Sequence, residues 1–293
     1  MKVYNLGSLN IDYVYTVPHF VSAKETLSSN CLQVFPGGKG LNQSVALAKA
    51  GIAVIHGAIV GDSGQFLLNT LSSAGGDVSR IQQIPEACGH AIIQVDPSGQ
   101  NCILLYAGTN HKIDRAYIET FLQDAQAGDF LLLQNETSGL SDAFEIAHRK
   151  GMQIVLNPSP LGDNLSKLPL SYVTWWFCNE VEGEALFGSA RPDEILANFG
   201  KIYPHANLVL TLGAEGSICL SNGKIYKQSI YPVQAVDTTA AGDTYTGYFI
   251  ASIARGCSLS DAMKFASKAS GISVSRMGAA QSIPYLKEVQ DDL

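Results

Sequence analysis

Short apolar runs alternate along this chain with longer amphipathic segments, and that alternation admits few folds. The runs at 2–6, 54–60, 130–133, 154–156, 173–177 and 208–212 have the length and composition of buried strands. Between them, the segments 40–50, 63–74, 141–150 and 180–187 carry helical spacing, closed in turn by Gly51, Gly75-Gly76, Gly151 and Gly188. Glycine just past a helix accepts the left-handed conformation that ends it. Strand and helix in this rhythm predict the α/β class, a mostly parallel central sheet with helices on both faces.

Two stretches break the rhythm. Residues 11–17 with 31–35, and 90–95 with 102–106, read as antiparallel strands, the second pair joined by the turn-rich Asp96-Pro-Ser-Gly-Gln-Asn101. As insertions at about 11–35 and 88–107 they predict a small antiparallel β lid beside the main sheet, within a single domain spanning 1–293. Asn222-Gly223, between 217–221 and 224–230, signals a hairpin in the C-terminal half.

Composition narrows the partners. A net charge of −7 and the absence of any Lys/Arg cluster argue against a nucleic-acid surface, which must neutralise phosphates. No window reaches the length of a membrane span, and the N-terminus lacks the apolar stretch of a signal peptide. Six scattered cysteines form neither a CxxC pair nor a Cys/His cluster, so reduced thiols in the cytoplasm are the simplest reading.

The chemistry concentrates at Asp237-Thr-Thr-Ala-Ala-Gly-Asp243-Thr-Tyr-Thr-Gly247, a polar loop that runs into a helical pattern. Small residues at Ala240, Ala241 and Gly242 would leave backbone amides uncovered at a helix start, where the peptide dipoles also favour an anion. Asp243 in that first turn is a carboxylate able to take a proton from a hydroxyl beside a phosphate. An ordinary helix start, capped by Asp237 or Thr239, reads the same residues without chemistry.

Pro36-Gly37-Gly38-Lys39-Gly40-Leu41-Asn42-Gln43 brings three glycines to the start of the first helix, close enough to let a ligand approach the backbone, or merely a tight turn. It is not a Walker A loop, because the lysine precedes glycine rather than Ser or Thr. Asn10 and Asp12 point to one side of an extended segment, facing either a cleft or water. Glu136 follows a strand where open α/β sheets bind ligands. Asn179 and Glu182 stand one turn apart, suited to hydrated magnesium or to a helix cap. Thr211-Leu-Gly213-Ala-Glu-Gly216 can line a nucleotide or turn a strand into a hairpin.

Taken in this order, the segments resemble the ribokinase family of ATP-dependent carbohydrate kinases, the PfkB type, over 1–293. Both family signatures are present, at 37–51 and at 237–247, with Asn157-Pro-Ser-Pro160, Asn179-x-x-Glu182 and Thr211-x-Gly213 between them. The resemblance implies that Asn10, Asp12, Gly38, Lys39, Asn42 and Glu136 hold a sugar, with Asp243 as base and Ala240, Ala241 and Gly242 as anion hole. It further implies that Asn179 and Glu182 face the phosphates and magnesium, Glu182 through water, while Thr211, Gly213 and Gly216 lie along ATP. A monovalent cation, usually potassium, would sit by Asp237, Thr239, Ser273, Gly278 and Ser282.

The implied reaction is transfer of the γ-phosphoryl group of ATP to a primary hydroxyl of a small sugar. D-ribose is the first expectation. Deoxyribose, fructose or a nucleoside are the alternative acceptors, and a sugar-binding regulator without catalysis is the alternative of another class. The implied assembly is a homodimer through the lid. Two positions depart from the family pattern: Lys24, where glycine is usual, and Ser267, where some members place a histidine beside the adenine.

Overall fold

The computed structural model describes residues 1–291, so the last two positions of the expected domain, 292 and 293, lie outside the described residues. The chain begins with strand β1 (Val3–Leu6), then β2 (Asn10–Thr16) and β3 (Cys31–Gly37), before helix α1 (Lys39–Lys49). Next come β4 (Val54–Val60), α2 (Gln65–Ser73) and the short β5 (Ile81–Gln83), followed by β6 (Gly89–Val95) and β7 (Asn101–Tyr106). The middle third runs α3 (Arg115–Phe121), β8 (Phe130–Gln134), α4 (Leu140–Arg149), β9 (Gln153–Asn157), β10 (Val173–Asn179) and α5 (Glu180–Phe187). After α6 (Pro192–Ile202) and β11 (Asn207–Thr211), the hairpin β12 (Ser217–Ser221) and β13 (Lys224–Gln228) leads to α7 (Ala241–Ala254), α8 (Leu259–Val274) and α9 (Leu286–Gln290).

Nine strands form the main sheet in the order β13-β12-β11-β10-β9-β8-β1-β4-β5. The seven from β11 to β5 are parallel, and the two of the hairpin run antiparallel at one edge. Alternate residues of the strands feed two separate cores. Phe130 and Leu132 pack with Leu41, Tyr248, Phe249 and Met263 on one face, while Leu131 and Leu133 pack with Phe121, Phe144 and Phe199 on the other. Helices therefore cover both faces, as the apolar runs require.

The four-stranded lid has the order β3-β2-β6-β7. Each expected hairpin is antiparallel, β2 with β3 and β6 with β7, but the two are joined through a parallel pair, β2 with β6. That joint follows from the chain's route: both strands leave the main sheet in the same direction. Leu32, Val34, Ile103, Leu104, Leu105 and Tyr106 of the lid are exposed. Lys24, in the loop between β2 and β3, holds φ 71, the left-handed region that glycine occupies freely and other residues at a cost of about 1 kcal/mol or more.

Candidate active site

The parallel strands end on a common side, and the residues just beyond them build the site. Ser8 follows β1, Glu136 follows β8, and β9, β10 and β11 close with Asn157, Asn179 and Thr211. Facing these strand ends is the start of α7, entered through Ala240 in the left-handed conformation with φ 60. No side chain caps this helix, so neither Asp237 nor Thr239 plays that part.

The amide pattern at the helix start departs from the sequence reading at Ala241 alone. Ala241 N–H is already committed to Thr238 O at 3.2 Å. The N–H groups of Gly242 and Asp243 have no acceptor among the described residues, and a Cβ on Gly242 would meet nothing within 4 Å. The open end of the helix therefore centres on Gly242 and Asp243, with its face toward the cleft, and its dipole favours negative charge there.

Asp243 is buried, and its two carboxylate oxygens are held separately. Gln43 Nε2 donates to Oδ1 at 2.9 Å and Asn42 Nδ2 to Oδ2 at 3.1 Å. The other end of the Asn42 amide, Oδ1, is buried without a partner, an acceptor aimed at something the fold itself does not supply.

On the lid side of Asp243 lies a second set of charges. Glu136 accepts from Ser8 Oγ and, at 3.0 Å, from the Lys39 backbone N–H. Burial pushes its carboxyl above the usual range, against the pull of Ser8 and Lys39. Asp12 is pushed up to about 7, by burial first and then by the Glu136 carboxylate. Its side chain lies across Gly37, where an added Cβ would come within 2.0 Å of the carboxylate. Burial alone would lower Lys39, but Asp243, Glu136 and Glu182 outweigh it and raise the ammonium. Asn10 is fixed by Asn110 Nδ2, which donates to its Oδ1 at 2.7 Å.

Two adjoining cavities meet at the α7 start. One, of about 230 Å³, is lined by Lys39, Asn157, Asn179, Glu182, Ala240 to Asp243 and Thr238. The other, of about 490 Å³, is lined by Gly213, Gly216, Ile230, Tyr231, Val233 and Ser267 among others, and shares Asn179, Thr211, Thr238, Ala241 and Gly242 with the first. Its lining runs from apolar residues at Ile230 and Val233 to the amides at the start of α7. Ser267 donates to Ser229 O at 2.9 Å, so no aromatic ring stands at that position.

Asn179 and Glu182 take up the helix-cap reading. They form a reciprocal cap at the start of α5, Glu182 N–H to Asn179 Oδ1 at 2.8 Å and Asn179 N–H to Glu182 Oε2 at 3.1 Å, and both line the smaller cavity.

Asp237, Thr239, Ser273, Gly278 and Ser282 fall into two bonded groups beside the α7 start. Asp237 accepts from the N–H groups of Thr239 and Gly278, each at 2.9 Å; burial raises its carboxyl, but the Thr239 side chain and then these two N–H groups outweigh it and hold the carboxyl below the ordinary value. Ser273 and Ser282 share a hydrogen bond of 2.7 Å, and Thr244 Oγ1 reaches Ser273 Oγ at 3.4 Å. The donor set is all oxygen, the kind that suits a hard cation.

Sequence reasoning missed Ser8, Asn110 and Gln134, and gave no role to Gln43 or Asn157. Position at the end of a parallel strand would have flagged Gln134 and Asn157. Nothing local marks Asn110.

A model of the "pfkB family carbohydrate kinase" matches residues 2–286 of this chain. Ribokinase of Haemophilus influenzae is 36% identical over 297 residues, covering 98% of this chain and 97% of its own. The crystal structure of ribokinase from Cryptococcus neoformans in complex with ADP superposes with a TM-score of 0.88 at 33% identity, covering 100% and 99% of the two chains. Arabidopsis thaliana ribokinase, solved with ribose and ATP, gives a TM-score of 0.88 at 27% identity, covering 99% and 97%.

Proposed function

The chain belongs to the pfkB family of carbohydrate kinases, and from that premise we propose that it transfers the γ-phosphoryl group of ATP to the primary hydroxyl of D-ribose, giving ribose 5-phosphate. The observation that carries the reading is the position of Asp243. Its carboxylate stands between the open amides of α7, which suit phosphate, and the orphaned Asn42 Oδ1, which suits a sugar hydroxyl.

Sugar binding falls to Asn10, Asp12, Gly38, Lys39, Asn42 and Glu136, a cluster linked through the Lys39 N–H to Glu136 and through Asn42 to Asp243. ATP lies along Thr211, Gly213 and Gly216 with its phosphates at Gly242 and Asp243. Asp243 orients the acceptor hydroxyl and takes its proton as the oxygen attacks. The helix-end amides and the Lys39 ammonium neutralise charge on the transferring group.

Asn179, and Glu182 through water, would hold a magnesium ion, which would supply further neutralisation of the phosphates. Asp237, Thr239, Ser273, Gly278 and Ser282 would hold a potassium ion, which would supply fixed positive charge beside the loop that leads into α7. The lid closes over the sugar and excludes water that would hydrolyse ATP. The whole of 1–293 acts as one kinase domain, working in the cytoplasm, and pairs as a homodimer through the exposed apolar strands of the lid.

ATP consumption against ribose, 2-deoxyribose, fructose and a nucleoside tests the reading. Ribose is expected to give the highest kcat/KM. Omission of a bonded hydroxyl leaves buried polar groups unpaired, at about 1 to 3 kcal/mol for each. A better kcat/KM for 2-deoxyribose or fructose contradicts the choice of ribose, and no response to any acceptor contradicts the kinase.

A further inference from the structure

We infer that Gln43 is a positioning residue for Asp243, locked in one orientation by a buried amide relay that runs through Gln134 and Asn5. The inference rests on the reading of Asp243 as the base and concerns how its carboxylate is held. Asn5, Gln43, Ser44, His56 and Gln134 are all fully buried, and their side-chain polar atoms are paired inside the protein apart from Gln134 Oε1 and His56 Nε2, which have no hydrogen-bond partner among the described residues.

The relay has a single direction. Gln43 Nε2 spends one hydrogen on Asp243 Oδ1 at 2.9 Å and the other on Asn157 Oδ1 at 3.3 Å, while Gln43 Oε1 accepts from Gln134 Nε2 at 2.7 Å. The second hydrogen of Gln134 Nε2 goes to Asn5 Oδ1 at 3.0 Å. Asn5 Nδ2 donates in turn to Gly40 O at 2.8 Å and to Ser44 Oγ at 2.7 Å. Ser44, having accepted, passes its own proton to His56 Nδ1 at 2.7 Å. Gly7 leaves room for this line, since a Cβ there would stand 2.4 Å from Gln134 Oε1.

Reversal of the Gln43 amide would set its oxygen against the carboxylate of Asp243 and the oxygen of Asn157, and its nitrogen against the nitrogen of Gln134. Both contacts would be repulsive between groups buried as fully as these. Gln43 is therefore a donor to Asp243 in every low-energy state. It fixes Oδ1 and leaves Oδ2, shared only with Asn42, as the oxygen that meets the acceptor hydroxyl. Neither Gln43 nor Gln134 is among the residues assigned to sugar or nucleotide, so their effect falls on the rate and not on binding.

The test is a double-mutant cycle of Gln43→Met and Gln134→Met, with Asp243→Asn measured in parallel. Expected for Gln43→Met is a kcat about 10-fold lower with KM for ribose and for ATP within about twofold of the original, a smaller step than loss of the base itself. Gln134→Met should lower kcat about threefold, and should cost nothing further in the Gln43→Met background, because the relay acts only through Gln43. If Gln43→Met does not fold, Gln134→Met alone carries the test: a lower kcat at unchanged KM supports the relay, and an unchanged kcat overturns it. Independent, additive losses, or losses confined to melting temperature, also overturn it. An active Asp243→Asn overturns the base reading together with this one, whereas an inactive Asp243→Asn beside a fully active Gln43→Met overturns the relay alone.

Discussion

Asn110 Nδ2 donates to Asn10 Oδ1 at 2.7 Å, and Asn110 Oδ1 accepts from the Leu9 N–H at 3.0 Å, so one buried amide from the turn after the lid sets the orientation of another at the lid's root. With its oxygen engaged, Asn10 presents its NH2 to the proposed sugar. Asn110→Ala should leave Asn10 Oδ1 and the Leu9 N–H unsatisfied, a loss of about 1 to 3 kcal/mol in urea unfolding. The KM for ribose should rise while that for ATP stays. Equal changes in both KM values would contradict a role confined to the sugar side.

Asp12 sets stability against function. Its folded pKa of about 7 lies above the ordinary 3.8, so the folded protein holds the proton more tightly than the unfolded chain does. The stability this gives is complete below about pH 4 and is lost as pH rises through 7. Asp12→Asn should accordingly stabilise the protein at pH 8 by about 1 to 4 kcal/mol and have little effect at pH 4, while raising the KM for ribose. Urea unfolding at the two pH values decides it, and an equal gain at both would contradict the assignment.

His56 works with the opposite sign. Burial lowers it from 6.5 to about 4, so the fold keeps it neutral while the unfolded chain takes up a proton below about pH 6.5. Stability from this group is complete above 6.5 and falls as pH drops toward 4, by on the order of 3 kcal/mol. Asp12 pulls the other way across much of that window, so the comparison must be with His56→Gln, in which Asp12 is unchanged. From pH 7 to 4.5 the change in unfolding free energy should be less favourable in the parent than in the variant, by on the order of 2 kcal/mol. The same difference in both would contradict a buried neutral imidazole.

The oxygen cluster at Asp237 predicts a dependence on monovalent cations. Lys49 Nζ ties the neighbouring loop to α1, donating to Ile283 O at 2.7 Å and to Ala280 O at 3.2 Å. Potassium should raise kcat, with sodium a poorer activator, and Asp237→Ala should abolish the difference. Equal rates in potassium and in a large organic cation at matched ionic strength would contradict the site.

What could be read from the sequence was whatever has a local cause. Apolar runs bounded by turn residues marked eight of the main-sheet strands, the two of the hairpin at Asn222-Gly223 among them, and both lid hairpins. The three-residue β5 carries too short a signal to separate from a loop. The parallel joint between β2 and β6 was not legible, because it depends on the direction in which two insertions leave the main sheet. The amide of Ala241 was misjudged for a related reason: whether it turns back on Thr238 is decided by the left-handed Ala240, and composition does not record a dihedral. Asn42 and Gln43 stood in the glycine-rich segment from the start. The contact of both with Asp243, about 200 residues on, exists only once α1 and α7 are packed together.

Asp243→Asn is the most direct measurement, because every part of the proposed chemistry converges on that carboxylate. An amide of the same shape keeps the cleft filled but cannot take the proton of the acceptor hydroxyl. Ribose phosphorylation should fall by about 10² to 10⁴ in kcat, while calorimetric titration still finds ribose and an ATP analogue bound at close to the original affinity. Retention of near-original turnover in the purified variant would contradict the account at its centre.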